Sequence, residues 1–164
     1  MLVPLALLAA LAPASAAPAP PAAPHFAGET TDGTSVRLPD AAHGKTLIVV
    51  VGMSQGSADA TERWSKTLAA EDGARATVYG VALLDSVPGF ARAWVKHSLA
   101  KRIGPPQPGK GFLMTFEGRE LRAAAPAGNP DDPVIYVYRP DGSLATAVRR
   151  AYDGDAAAFA RNLL

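Results

Sequence analysis

Leu47-Ile48-Val49-Val50-Val51, followed by Gly52-Met53-Ser54-Gln55-Gly56, is the stretch on which the fold class turns. Five successive aliphatic residues, mostly β-branched and without polar alternation, suit a strand buried on both faces. The glycine-bearing turn leads into a helix. Asp59 and Glu62 have the spacing of an N-cap and its N3 partner. Ala60, Trp64 and Leu68 recur at i, i+4 and i+8 and predict one buried stripe, and Asp72-Gly73 predicts the stop. A second apolar strand follows over 77–84.

Moving outward, Ser86 and Pro88 open a second helix whose apolar positions are Phe90, Trp94, Val95 and Leu99 and whose end is Gly104-Pro105. A short strand is expected over 112–116 and a brief helix over 119–125. Val134–Tyr138 and Leu144–Val148 flank Arg139-Pro140-Asp141-Gly142, a hairpin with proline and glycine where tight turns need them. A closing helix is expected over 155–164. Upstream, Thr31-Asp32-Gly33-Thr34 marks a turn between two short strands. The order predicts a single α/β domain over 25–164 with a mixed sheet. Its first two core strands should be parallel, because a helix crosses over between them.

The chain has 164 residues, 16 Lys and Arg, 15 Asp and Glu, and no cysteine. That last count excludes disulfides, thiolate metal sites and thiol redox catalysis. Residues 1–24 hold ten alanines, six prolines and no charged side chain. The apolar run Leu2–Ala12 and then Ala14-Ser15-Ala16 have the order of a secretory signal, although no Lys or Arg precedes the run. The run is shorter than the roughly 20 residues a membrane span needs. The expected division is a signal peptide over 1–16, a stiff Ala/Pro-rich lead-in over 17–24 and the domain over 25–164, in a periplasmic or secreted protein.

Gly52-Met53-Ser54-Gln55-Gly56 also matches G-x-S-x-G between a strand and a helix, the setting of a hydrolase nucleophile elbow. A serine hydrolase using Ser54 is therefore an alternative reading. The rest of the chain argues against it. Of His25, His43 and His97 only His97 follows Ser54, and it falls within the second helix rather than late in the chain, where the base belongs. Ser54 also lies too near the start for the strands that the hydrolase fold places before its elbow.

The order of elements resembles the thioredoxin-like superfamily, in the branch of periplasmic thiol–disulfide oxidoreductases and peroxiredoxin-like proteins. The carrying residues are Phe26–Asp40 with its Asp32-Gly33, Lys45–Val51, and Asp132-Pro133-Val134 running to Pro140-Asp141-Gly142. The resemblance implies a three-layer α/β domain with helices on both faces of a mixed sheet. It implies a cis proline at Pro133 facing the turn at the head of the first helix. At that turn the family's C-x-x-C falls on Gly56 and Asp59, or with a shift of two on Ser54 and Ser57. Neither pair holds a thiol, so redox catalysis is excluded by residue chemistry. The same likeness extends to assembly chaperones of thioredoxin-like fold. It implies a non-catalytic binding or chaperone-type protein whose surface is Met53, Ser54, Gln55, Gly56 and Ser57 with Asp132 and Pro133. An exposed Met53 would be an adaptable contact. The partner would be an extended peptide, a protein client, or a membrane or envelope complex under assembly. A structural or vestigial domain is a third reading.

Other groupings point elsewhere only weakly. Three dispersed histidines make no metal site, and no cofactor is expected. Asp131-Asp132 suit turn capping. Arg149-Arg150 read as a solvated strand edge with one side chain to each face. Lys96, Lys101, Arg102 and Lys110 form a loose basic patch without interleaved aromatics, so nucleic acid is not an expected partner. Trp64 and Trp94 read as core residues.

Overall fold

The computed structural model describes residues 22–42, 44–105 and 110–164. The expected signal peptide, most of the lead-in and His43 lie outside the described residues. The strands are β1 (Phe26–Thr30), β2 (Ser35–Leu38), β3 (Thr46–Gly52), β4 (Ala76–Leu83), β5 (Lys110–Thr115), β6 (Val134–Tyr138) and β7 (Leu144–Arg149). The helices are α1 (Ala58–Asp72), α2 (Arg92–Ile103), α3 (Arg119–Ala124) and α4 (Ala156–Arg161). The strands form one sheet in the order β2-β1-β5-β4-β3-β6-β7. β3, β4 and β5 run parallel, β6 pairs antiparallel with β3, and β7 pairs antiparallel with β6. Central β3 is paired on both edges and buried from Leu47 to Gly52, as its unbroken aliphatic run requires.

Alternate side chains of β3 enter opposite cores. Leu47, Val49 and Val51 join Phe26, Leu113, Leu121, Tyr136 and Tyr138 on the face covered by α3. Ile48 and Val50 join Trp64, Leu68, Ile135, Ala156 and Ala160 on the face covered by α1 and α4. Two buried phenols on the first face are satisfied rather than merely packed. The Tyr136 hydroxyl donates to the Leu121 carbonyl at 2.7 Å, and that of Tyr138 donates to the Pro24 carbonyl at 2.9 Å. Burial pushes both phenols well above their usual pKa, so they stay neutral donors.

Local departures from the sequence expectation have physical causes. Helix α1 begins at Ala58 with Ser57 in the N-cap position, so Asp59 is not the cap. Asp59 lies instead in the first turn, where a carboxylate favours the helix dipole. The buried stripe is Thr61, Trp64 and Leu68, with Ala60 only half-buried. A 3-10 turn, Gly89–Ala91, precedes α2. Helix α2 buries no side chain, and Phe90 and Trp94 stand 91% and 71% exposed rather than in the core. The sheet beneath α2 explains this. The helix is separated from α1 and from β4 by a cleft of about 1010 Å³, with Gly80, Ala82 and Phe112 on its walls.

Beyond β4, Asp85 takes two hydrogen bonds from Arg122 of α3, at 2.8 and 2.7 Å. Those bonds hold the Asp85 carboxyl below its usual value, outweighing the opposite pull of burial. A carboxyl with a depressed folded pKa stabilises fully above its unfolded pKa and loses that contribution as pH falls through the folded value. The stability gap between the natural protein and Arg122→Ala, measured by urea unfolding, should therefore be present at about pH 6 and close progressively below about pH 4. A gap that stays constant through that range would show that the ion pair contributes nothing.

Candidate functional site

The turn between β3 and α1 is closed by two serines that satisfy each other. The Ser57 amide donates to Ser54 Oγ at 3.1 Å, and the Ser54 amide donates to Ser57 Oγ at 3.2 Å. Ser57 Oγ in turn donates to the Ser54 carbonyl at 2.7 Å. Thr61 seals the next turn, with its amide and its hydroxyl both donating to the Ser57 carbonyl at 2.9 and 2.8 Å. Gly52 permits this closeness. A Cβ there would sit 2.7 Å from Thr61 Oγ1 and 2.9 Å from Ser57 Oγ, so only glycine lets the end of β3 meet the head of α1.

A second segment meets this turn from the loop before β6. Ser54 Oγ donates to Asp131 Oδ1 at 2.7 Å. Gly56 leaves room for the same carboxylate, since a Cβ would fall 2.6 Å from Asp131 Oδ1. The turn over 53–57 thus meets the segment ahead of Pro133 through Asp131, a residue whose sequence reading was turn capping. Their exposure differs from residue to residue. Gln55, Gly56 and Asp131 are exposed, and Ser54 and Asp132 are half-buried. Met53, Ser57 and Pro133 are buried, so they shape the surface without presenting it. Met53 in particular is not the exposed contact that the sequence suggested, because it joins the core beneath the turn.

The Asp132–Pro133 bond is trans, contrary to the implication of the resemblance; the cis bond among the described residues is Leu38–Pro39. The Asp132 carbonyl is held by Arg149, and the Pro133 carbonyl accepts the Arg150 amide at 3.1 Å as β6 begins.

Arg149 is the residue the sequence reading missed. Far from being a solvated edge, its guanidinium donates to the carbonyls of Pro126, Asn129 and Asp132 at 2.8, 3.2 and 3.0 Å. Its other nitrogen lies 3.7 Å from Met53 Sδ. One side chain therefore ties β7, the loop over 126–132 and the turn after β3 together. Alternation along β7 did place Arg149 and Arg150 on opposite faces. Arg150 stacks over Phe159 with 4.9 Å to the ring centre and pairs with Asp153 at 3.0 Å. The signal for Arg149 was an arginine at the end of the hairpin's second strand, but only register, which sets it opposite Val134, shows that it reaches the carbonyls of the loop before β6.

The Ser54 proton points to a carboxylate, and among the described residues no histidine hydrogen-bonds to Ser54. His25 lies in a separate polar pocket beside Glu117 and Glu120, and His97 is exposed on α2. Among the described residues no group of His, Asp and Glu is arranged to hold a metal ion.

No family model matches the chain, and no curated protein matches it. Solved structures do. The pneumococcal exposed lipoprotein thioredoxin Etrx1 of Streptococcus pneumoniae superposes with a TM-score of 0.59 at 20% identity, over 86% of this chain and 100% of that one. The fold is thioredoxin-like. A thiol:disulfide interchange protein described as DsbE, from Chlorobium tepidum, gives 0.58 at 16% identity over 87% and 92%. BsSco, of the Sco family of cytochrome c oxidase assembly proteins, gives 0.56 at 12% over 87% and 91%. These thioredoxin-like neighbours include thiol–disulfide oxidoreductases, whereas the present chain has no cysteine.

Proposed function

We propose that this thioredoxin-like protein works outside the cytoplasm by binding, not by thiol chemistry, and that Ser54, Gln55, Gly56, Asp131 and Asp132 present its contact surface. The observation that carries the proposal is the closed Ser54–Ser57 turn bridged to Asp131. On one of the two alignments that the resemblance allows, the family's reactive pair falls on Ser54 and Ser57, and here both hydroxyls are spent on holding the backbone. A serine hydroxyl neither forms a disulfide nor gives an alkoxide at neutral pH, so the position is suited to shape and not to electron transfer. The buried Met53, Ser57 and Pro133 position that surface from below. The extracytoplasmic setting is supported by the signal-like sequence over 1–16 and by the likeness to an exposed lipoprotein. The likeness to an assembly protein favours a protein client, gripped in extended form or as part of a complex being built.

A permanently unfolded probe, reduced and carboxymethylated α-lactalbumin, tests this. The full chain is expected to bind it, with a paired Gln55→Ala, Asp131→Ala variant weaker by about ten-fold, near 1.4 kcal/mol. Absence of binding, or equal binding by the variant, would overturn the reading and leave a purely structural domain. A fluorophosphonate probe is expected to leave Ser54 unlabelled in the same preparation, and labelling abolished by Ser54→Ala would establish the hydrolase instead.

A further inference from the structure

Charge is distributed unevenly along this chain. Between Asp85 and Glu117 there is no acidic residue, although the chain has 15, while five of its 16 Lys and Arg fall there: Arg92, Lys96, Lys101, Arg102 and Lys110. Helix α2 lies in this segment and presents its cations together with two large aromatic side chains. Phe90 and Trp94 are four residues apart, so they neighbour each other along one side of the 3-10 turn and the helix that follows it. They are 91% and 71% exposed. His97 and Lys101 continue the same line at helical spacing and are exposed too.

Part of the charge is already answered within the fold. Lys96 pairs with Glu29, and Arg102 reaches Asp59 and Glu62, each at 3.5 Å across exposed side chains. Arg92 stacks on Phe116 with 4.6 Å to the ring centre and has no anionic partner among the described residues. Lys101 has no anionic partner among the described residues. Trp94 stands at the mouth of the cleft over β4 and is mostly exposed, so the rim of α2 there presents two aromatic rings beside net positive charge.

We infer that the Phe90–Trp94 side of α2 docks on an anionic lipid surface. Burial of exposed Phe and Trp at the headgroup boundary, together with attraction of Lys and Arg to anionic lipid, is the combination that holds a helix in that plane. The alternative occupant, an acidic protein, is less well matched. Its exposed rings and its cations, of which Lys101 is unpaired among the described residues, suit a fluid surface without fixed donors and acceptors. The inference does not depend on the peptide-binding reading, since it uses neither the turn after β3 nor the loop before β6.

The two tryptophans allow a site-specific test on the full chain. Trp64 is fully buried between α1 and α4, so Trp94 alone can report contact with lipid. Vesicles of phosphatidylcholine with about one-third phosphatidylglycerol are expected to shift tryptophan emission to the blue, and lipids brominated in the acyl chain are expected to quench it. Binding should weaken at least ten-fold on pure phosphatidylcholine and fall with added salt. Lys101→Glu, at an exposed position, should weaken it by about five-fold or more, and Phe90→Ser should abolish the quenching. Attachment through the apolar N-terminal run would leave Trp94 unquenched and would overturn the inference. So would equal binding to neutral vesicles, or saturable binding to polyglutamate without any binding to anionic vesicles.

Discussion

Trp64→Ala should lower the unfolding free energy by about 3–5 kcal/mol, the range for emptying a large aromatic site in a packed core. Trp64 is fully buried where α1, α4 and the start of the β7–α4 connection meet. Its ring meets Tyr152 and Phe159 edge-on, with centroids 5.3 and 5.5 Å away, and its indole nitrogen donates to the Arg150 carbonyl at 3.2 Å. Alanine would remove the volume, both aromatic contacts and the donor at once. Neighbours cannot easily collapse into the space, because Ile48 and Val50 of the central strand form its wall and are held by ladders on both edges. Denaturant midpoint and thermal melting read the loss, and Trp64→Phe should recover much of it while still lacking the indole donor. A loss below about 1 kcal/mol would mean that α4 does not close this core.

Arg149→Ala should be the most damaging change near the candidate site, by about 1.5–3 kcal/mol, the range for hydrogen bonds to a charged group. Three carbonyls, those of Pro126, Asn129 and Asp132, would lose their shared donor, and the loop they belong to carries Asp131. With that loop released, the Ser54–Asp131 bond has nothing to hold its far end. Arg149→Lys should rescue little, since an ammonium cannot reproduce the guanidinium fork. Two readouts separate structure from function. Amide exchange should speed up over residues 127–132 in either variant, and binding of carboxymethylated α-lactalbumin should fall by more than the global stability change predicts. Unchanged exchange in that loop would show that Arg149 does not organise it.

These two residues also mark how far the sequence could be read. Trp64 was legible, because helical spacing from Leu68 and an aliphatic strand next door leave it one place to go. The parallel β3–β4 pair and the β6–β7 hairpin were legible for the same reason: short-range periodicity and turn chemistry dictate them. Arg149 was not, because its role depends on three carbonyls contributed by a loop that has no periodicity. Trp94 misled, since its spacing suits a core stripe but the small side chains of Gly80 and Ala82 leave the sheet too low to meet it. At the turn, residue types excluded thiol chemistry at once. The reciprocal closure of Ser54 and Ser57, and the trans bond at Pro133, depend on backbone geometry that no pattern of letters encodes.

The pairing of β3 has a consequence for how this chain reaches its folded state. One edge of β3 is matched by β4, which follows after a single helix. The other waits for β6, so that Val51 meets Val134 only when most of the chain is available. During synthesis, a strand of five aliphatic residues therefore stands with a bare edge until β6 arrives. Such an edge recruits foreign strands, and contacts this distant in sequence form slowly. A holding factor acting on the growing chain would have its greatest effect in that interval, before residue 134 appears.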